Sequence, residues 1–183
     1  MKGWAVWVTG LPGSGKSTIV AVLEERLRER GVKHQVLSID SVRKIITPNP
    51  SYGELERELV YGSLVYTASV LTLHGVNVVI DATGNRRRYR DKARNLIERF
   101  AEVFVKCPLE LCMEREQARR DRHGAPEKVY ERGLTQKSKT VPGLGVPYEE
   151  PVSPEVVVES YRLTPQEAAD KIVHALEMKF ALR

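Results

Sequence analysis

Apolar and polar residues follow one another along the chain in blocks whose lengths and periods predict five strands separated by helices. WAVWVT (4–9) is apolar almost throughout, as a strand covered on both faces must be. From Ser17 to Arg30 the apolar residues Ile19, Val22, Leu23 and Leu27 recur on one helical face, Glu24 and Arg28 stand one turn apart, and Gly31 is a natural stop. HQVLSID (34–40) reads as a second strand ending at Asp40, TPNPSYG (47–53) as a loop, and about Glu54 to Leu73 as a long helix. VNVVIDAT (76–83) is a third strand that carries Asp81 to its end, and a helix runs from about Arg88 to Phe100. EVFVKC (102–107) and EVVVES (155–160) supply the last two strands, with a helix starting near Pro108 between them. The final helix opens on Thr164, Pro165 and Glu167, a capping box with proline in the first helical position.

Strands alternating with helices predict an α/β fold with a parallel sheet, and 183 residues without repeat or linker predict a single domain over 1–183. The stretch from about Arg115 to Pro151 breaks the pattern. It is rich in charge, Gly and Pro, and a long segment of that kind inside a domain reads as a lid or binding loop.

Between the first strand and the first helix stands GLPGSGKST. Its spacing fits G-x-x-x-x-G-K-[ST]: Gly10, Leu11, Pro12, Gly13, Ser14, Gly15, Lys16, Ser17 and Thr18 form a loop whose N–H groups turn inward around phosphate. Lys16 adds a mobile positive charge, the Ser17 hydroxyl is placed to ligate Mg²⁺, and the helix that begins there favours anions at its N-terminus. The loop implies a nucleoside triphosphate and leaves the acceptor open. In open parallel sheets the site lies beyond the C-terminal ends of the strands, where Asp40 and Asp81 also arrive. Phosphoryl transfer needs a bridging metal and often a carboxylate to receive the hydroxyl proton, so Asp81 is the expected Mg²⁺ ligand and Asp40 the expected base. Arg43 stands ready to grip an anionic acceptor, and Arg86 is the member of the RRRYRDKAR run nearest the site. Arg90 and Arg94 read as a solvated helix face. At the start of the lid, Arg115, Arg119, Arg120 and Arg122 are candidates to close on the triphosphate.

Charge and cysteine content add little. The net charge of +5 suits anionic substrates, small or polymeric. Cys107 and Cys112 have neither disulfide-scaffold nor C-x-x-C spacing and read as buried thiols; the four histidines show no metal-ligand spacing. With no signal-peptide pattern and no long apolar segment, the expected location is cytoplasmic.

The block CPLELCMER (107–115), followed by VYERG, SKTVPGLGVPYEEPVSPE and VVVES, resembles the adenylylsulfate (APS) kinase family. The order of pieces agrees as well: phosphate loop, Asp-x-x-Arg after strand two, an Arg-bearing helix, RRRYRDKAR, then this block. The resemblance implies a P-loop kinase fold, a five-stranded parallel sheet flanked by helices on both faces. It also implies transfer of the γ-phosphate of ATP, with Mg²⁺, to the 3′-hydroxyl of adenylyl sulfate, giving PAPS and ADP. By position it assigns Asp40, Arg43, Arg57 and Lys139 to the acceptor, and places Thr83 where the family carries a Ser sometimes given a covalent role. The family is often dimeric, which suggests a homodimer. Several positions depart from the family pattern. Ser38, Ile39, Asp40 and Ser41 replace Asp-Gly-Asp-Asn, and DATG replaces Phe-Ile-Ser-Pro. Val60 replaces an Asn, and Val141 replaces the Phe that stacks on the acceptor's adenine, leaving Phe104 or Tyr148 as possible substitutes. The lid sequence EQARRDRHGAPEK differs as well. The alternative readings are a kinase of an RNA end or charged tRNA, motivated by the arginine run, and an ATP-binding switch without turnover.

Overall fold

The computed structural model describes residues 2–118, 129–135 and 140–182. In chain order the elements are β1 (Ala5–Thr9), α1 (Lys16–Glu29), β2 (His34–Ser38), α2 (Ile39–Ile46), α3 (Glu54–Leu73), β3 (Asn77–Asp81), α4 (Arg87–Leu96), β4 (Phe100–Lys106), α5 (Leu109–Ala118), α6 (Val129–Leu134), β5 (Val156–Glu159) and α7 (Pro165–Phe180). All strand pairs are parallel, in the order β2-β3-β1-β4-β5.

The burial of β1 on both faces follows from its central place in that order. Its alternate residues serve two cores. Val6 and Val8 meet Ile19, Leu23 and Leu27 of α1 and Ile172 and Leu176 of α7. Ala5 and Trp7 meet Val60, Tyr61, Leu64 and Ala68 of α3 and Tyr89 and Ala93 of α4. The crossover from β1 to β2 steps toward one edge of the sheet and every later crossover steps back, so right-handed connections put α1 on one face and α3 and α4 on the other. The expected α/β architecture with helices on both faces is therefore present. Trp4 stacks on Phe180 with ring centroids 5.8 Å apart, and the Trp7 indole donates to the Ala82 carbonyl at 2.8 Å. Thr164 forms the expected capping box with Glu167.

Three sequence expectations need correction. β2 ends at Ser38, and Asp40 lies in the first turn of α2, a helix too short to show a period in sequence. The fourth helix stops at Leu96, and Phe100 opens β4 instead of closing the helix. Arg90 and Arg94 do not form a solvated face. Arg90 is 1% exposed; its Nε donates to Glu102 at 2.6 Å, and its other N–H groups reach the carbonyls of Gly84 and Glu149. Arg94 bonds both oxygens of Glu155 at 2.7 and 2.9 Å, and Glu155 also accepts the Glu102 N–H at 2.7 Å. Burial alone would raise the Glu155 carboxyl, but bonds from Arg94, the Glu102 N–H and Lys179 bring it down to about 2. The arginine periodicity is real; the partners that draw it inward are remote in sequence.

Removing one member of a buried, hydrogen-bonded pair leaves the other charge without compensation. Arg90→Ala should therefore lower the unfolding free energy by about 3–5 kcal/mol. Urea denaturation checks this, and a loss below about 1 kcal/mol would mean that the pair is solvated after all.

Candidate active site

The loop between β1 and α1 is shaped by two glycines in the left-handed region. Gly13 has φ 77°, and a Cβ there would stand 2.2 Å from the Cys112 carbonyl oxygen. Gly15, at φ 95°, is the N-cap residue just before α1. The turn therefore brings the unpaired N–H groups of the helix terminus into the loop. Side chains hold its rim: the loop's own Lys16 ammonium donates to the Leu11 carbonyl at 2.9 Å, and from elsewhere Tyr130 donates to the Pro12 carbonyl at 2.8 Å and Ser160 to the Ser14 carbonyl at 2.7 Å. The Ser14 hydroxyl is buried without a hydrogen-bond partner among the described residues, which leaves polar capacity inside the cradle. Ser17 is half-buried and Thr18 exposed in the first turn of α1.

The strand register brings the carboxylates here. Asp81 stands opposite both Val8 and Ser38, and Asp40 follows Ser38 by two residues. Burial raises the Asp40 carboxyl above its ordinary value of 3.8, and the charge of Asp81 raises it further; Lys16, Arg43 and Lys44 act in the opposite sense. Lys16, Asp40, Asp81 and Arg43 thus share one electrostatic neighbourhood. Among the described residues no three His, Cys, Asp or Glu side chains are grouped to hold a metal. Two carboxylates and the Ser17 hydroxyl nevertheless make a hard oxygen set of the kind Mg²⁺ takes when phosphate oxygens and water complete its shell. The repulsion felt at Asp40 is what a cation between the carboxylates would relieve, so the residues fit the ion.

On the acceptor side, Arg43 is buried, ion-paired with Glu56, and lies 4.8 Å from the centroid of the Tyr52 ring. Glu56 also accepts from the Ser51 hydroxyl at 2.7 Å and the Tyr52 N–H at 3.1 Å. Burial disfavours its ionised form, yet these bonds and Arg43 hold it below the usual carboxylate range. Arg57 donates to the Tyr52 carbonyl and the Asn85 amide oxygen, each at 3.0 Å, and to the Thr140 carbonyl. Asn85 in turn donates to the Pro147 carbonyl at 3.2 Å. Arg57 therefore fastens α3 to the end of β3 and to part of the expected lid. The Thr83 carbonyl accepts from Thr9 at 2.6 Å, and the hydroxyls of Thr9 and Tyr148 are 3.0 Å apart.

The three positions named for the acceptor's base have packing partners of their own. Phe104 and Tyr148 stack on each other at 6.1 Å, which occupies their facing surfaces. Val141 is buried with Cys107, Cys112 and Tyr130, so it belongs to a small third core. Both cysteines are free and buried, as expected; burial and the neighbouring Cys107 push the Cys112 thiol up to about 12. Arg115 bonds the carbonyl of Ser160 at 2.9 Å and its hydroxyl at 3.3 Å, alongside Gly15. Arg86 pairs with Glu149 at 3.1 Å. Arg119, Arg120, Arg122 and Lys139 lie outside the described residues. Sequence reasoning missed Tyr52, Glu56, Asn85 and Ser160 as site residues. The proline-rich loop ahead of Tyr52 and the strand end at Ser160 were the only signals available.

Residues 2–159 match the family model described as adenylylsulphate kinase. The chain belongs to the adenylylsulphate kinase family. This kinase is 35% identical over 173 residues to a Pyrococcus abyssi protein named "Probable adenylyl-sulfate kinase", the match covering 94% of each chain. With the adenylyl-sulfate kinase of Rippkaea orientalis it shares 34% identity over 176 residues, 96% of this chain and 92% of the relative. The APS kinase of Mycobacterium tuberculosis, solved in complex with AMPPNP and APS, superposes with a TM-score of 0.84 at 27% identity, covering 96% of this kinase and 98% of that chain.

A ring at position 141 has no space in this arrangement: Val141 already limits what Gly133 could carry, a Cβ there coming 3.2 Å from its methyl. Val141→Phe should cost about 1–3 kcal/mol by overpacking. Thermal unfolding checks this, and a melting temperature at or above the wild-type value would show that the side chain turns outward.

Proposed function

We propose that this kinase transfers the γ-phosphate of ATP to the 3′-hydroxyl of adenylyl sulfate, yielding PAPS and ADP. The observation that carries the reading is the convergence of Lys16, Asp40 and Asp81 beside the phosphate loop, in a chain that matches adenylyl-sulfate kinases over nearly its whole length. Lys16 and the loop N–H groups from Gly10 to Thr18 hold the donor phosphates, with Arg115 and Arg119 on the lid side. Ser17 and Asp81 would hold Mg²⁺, which when bound would neutralise charge on the donor phosphates. Asp40 orients the acceptor hydroxyl and takes its proton as the oxygen bonds to the γ-phosphorus. The bond to the β–γ bridging oxygen breaks, and ADP leaves. Arg43, Arg57 and Lys139 meet the phosphosulfate of the acceptor, with Glu56 fixing the Arg43 guanidinium. In-line transfer needs no covalent step at Thr83.

The arginines that suggested a polynucleotide acceptor are engaged within the fold: Arg86 with Glu149, Arg88 with Glu54 and Glu58, Arg90 with Glu102, and Arg94 with Glu155. Their charge is matched internally, which favours the small nucleotide.

ADP release from Mg·ATP, with adenylyl sulfate, AMP, adenosine and a 5′-hydroxyl RNA offered in turn, separates the readings. Release should require adenylyl sulfate and be abolished in Lys16→Ala. Release with RNA alone would overturn the assignment.

The pH dependence isolates Asp40. A base must be ionised, and the raised carboxyl of Asp40 is protonated at a higher pH than an ordinary aspartate. Activity should therefore fall as pH drops through that raised value, and kcat/KM should report it for the free enzyme. Asp40→Asn should retain ATP binding, lose turnover by about 10²–10⁴-fold and lack that acid limb. If the acid limb persists in the variant, the group responsible is elsewhere.

A further inference from the structure

Arg43, Arg57 and Arg90 are the buried arginines among the described residues. Two of them have a carboxylate beside them, Arg43 with Glu56 and Arg90 with Glu102. Arg57 has none. Its Nε reaches the Tyr52 carbonyl, one terminal nitrogen the Asn85 amide oxygen and the other the Thr140 carbonyl, and all of these acceptors are uncharged. A guanidinium carries five N–H groups, so one on each terminal nitrogen is left without an acceptor among the described residues. Burial opposes the charge of Arg57, and Arg43 nearby does so as well; Glu54 acts in the other sense from the surface, where it pairs with Arg88. A buried cation is tolerated when an anion faces it, and here the fold supplies no such anion. The countercharge has to come from a ligand.

Asn85 is the side chain that fixes this guanidinium. It is 2% exposed and lies just past β3, on the same side of the sheet as Asp81 at that strand's end. Its amide oxygen accepts from Arg57 at 3.0 Å, its amide N–H donates to the Pro147 carbonyl at 3.2 Å, and its own carbonyl accepts the Glu149 N–H at 2.8 Å. A flipped amide would set N–H against guanidinium and oxygen against the Pro147 carbonyl, so its neighbours dictate its orientation. Aspartate has the same shape and would neutralise Arg57. Leucine has a similar size and would let the guanidinium swing. Asparagine holds the group and leaves its charge intact.

We propose that Asn85 is a positioning residue of the acceptor site, fixing Arg57 through an uncharged oxygen so that its full positive charge is left for the acceptor's anionic group. The proposal rests on the assignment of Arg57 to adenylyl sulfate. Arg43, already paired with Glu56, brings little net charge to the same side.

Steady-state kinetics of the full chain with Mg·ATP and adenylyl sulfate test this. Asn85→Asp should raise the KM for adenylyl sulfate by about 10–100-fold, the range covered by one hydrogen bond to a charged group, with the KM for ATP within about twofold. A residue that only held the fold would move both KM values together. A KM for adenylyl sulfate within about twofold of wild type, in an Asn85→Asp protein with an unchanged circular dichroism spectrum, would overturn the proposal. A double-mutant cycle decides whether Asn85 acts through the guanidinium, and it stands even if Asn85→Asp does not fold. Alone, Asn85→Leu should raise the KM for adenylyl sulfate; in an Arg57→Met background it should add less than about twofold. Equal effects in both backgrounds would overturn the proposal. Wild type that turns over no adenylyl sulfate would remove the acceptor reading and this proposal with it, whereas wild-type turnover with unchanged KM in the Asn85 variants would remove the proposal alone.

Discussion

A charge placed in an apolar interior must be matched on every side, and the Arg90 guanidinium is the charge this fold is arranged around. It reaches Glu102 on β4, the Gly84 carbonyl just past β3 and the Glu149 carbonyl in the PYEEP segment, with the Tyr148 ring 5.8 Å away. Those contacts tie the last part of the expected lid stretch to the sheet. Glu102 ties in turn to Arg94, and through its N–H to Glu155 at the entry to β5. One guanidinium thereby joins β4, the stretch past β3 and the last loop. Removing water from such a network is tolerable only because nearly every donor and acceptor finds a partner.

The same network divides the long irregular stretch into unlike parts. Residues 140–149 are anchored through Arg57, Asn85 and Arg90, and Val141 is packed under them. On the donor side, α5 is pressed against the phosphate loop so closely that Gly13 has no room for a Cβ. Arg115 and Ser160 complete that contact. The two halves of the site therefore rest on different supports. The phosphate loop rests on α5 and the end of β5, whereas Arg43 of α2 is held by the start of α3 and the turn before it.

What could be read from the sequence is what repeats or sits at fixed spacing. The five strands, α1, α3, the capping box on α7 and the phosphate loop all announce themselves by period or motif. Asp40 and Asp81 were legible because a parallel sheet collects its strand ends at one mouth. Arg90 was misread because a guanidinium one turn from another looks the same whether it faces water or Glu102. Glu56 shows the limit from the other side. It sits among ordinary acidic residues at a helix start, and only the folded loop reveals that it holds Ser51, Tyr52 and Arg43 together. Val141 is similar: only the fold reveals that it packs with Cys107, Cys112 and Tyr130.

Tyr52 carries a consequence of its own. Its backbone is left-handed at φ 57°, a conformation that costs a residue with a Cβ about 1–2 kcal/mol. Glycine would relieve that strain at once, and the ring over Arg43 would be lost with it. Tyr52→Gly would thus give a smoother turn and a bare guanidinium. At this position the ease of the backbone and the cover over the Arg43 guanidinium pull in opposite directions.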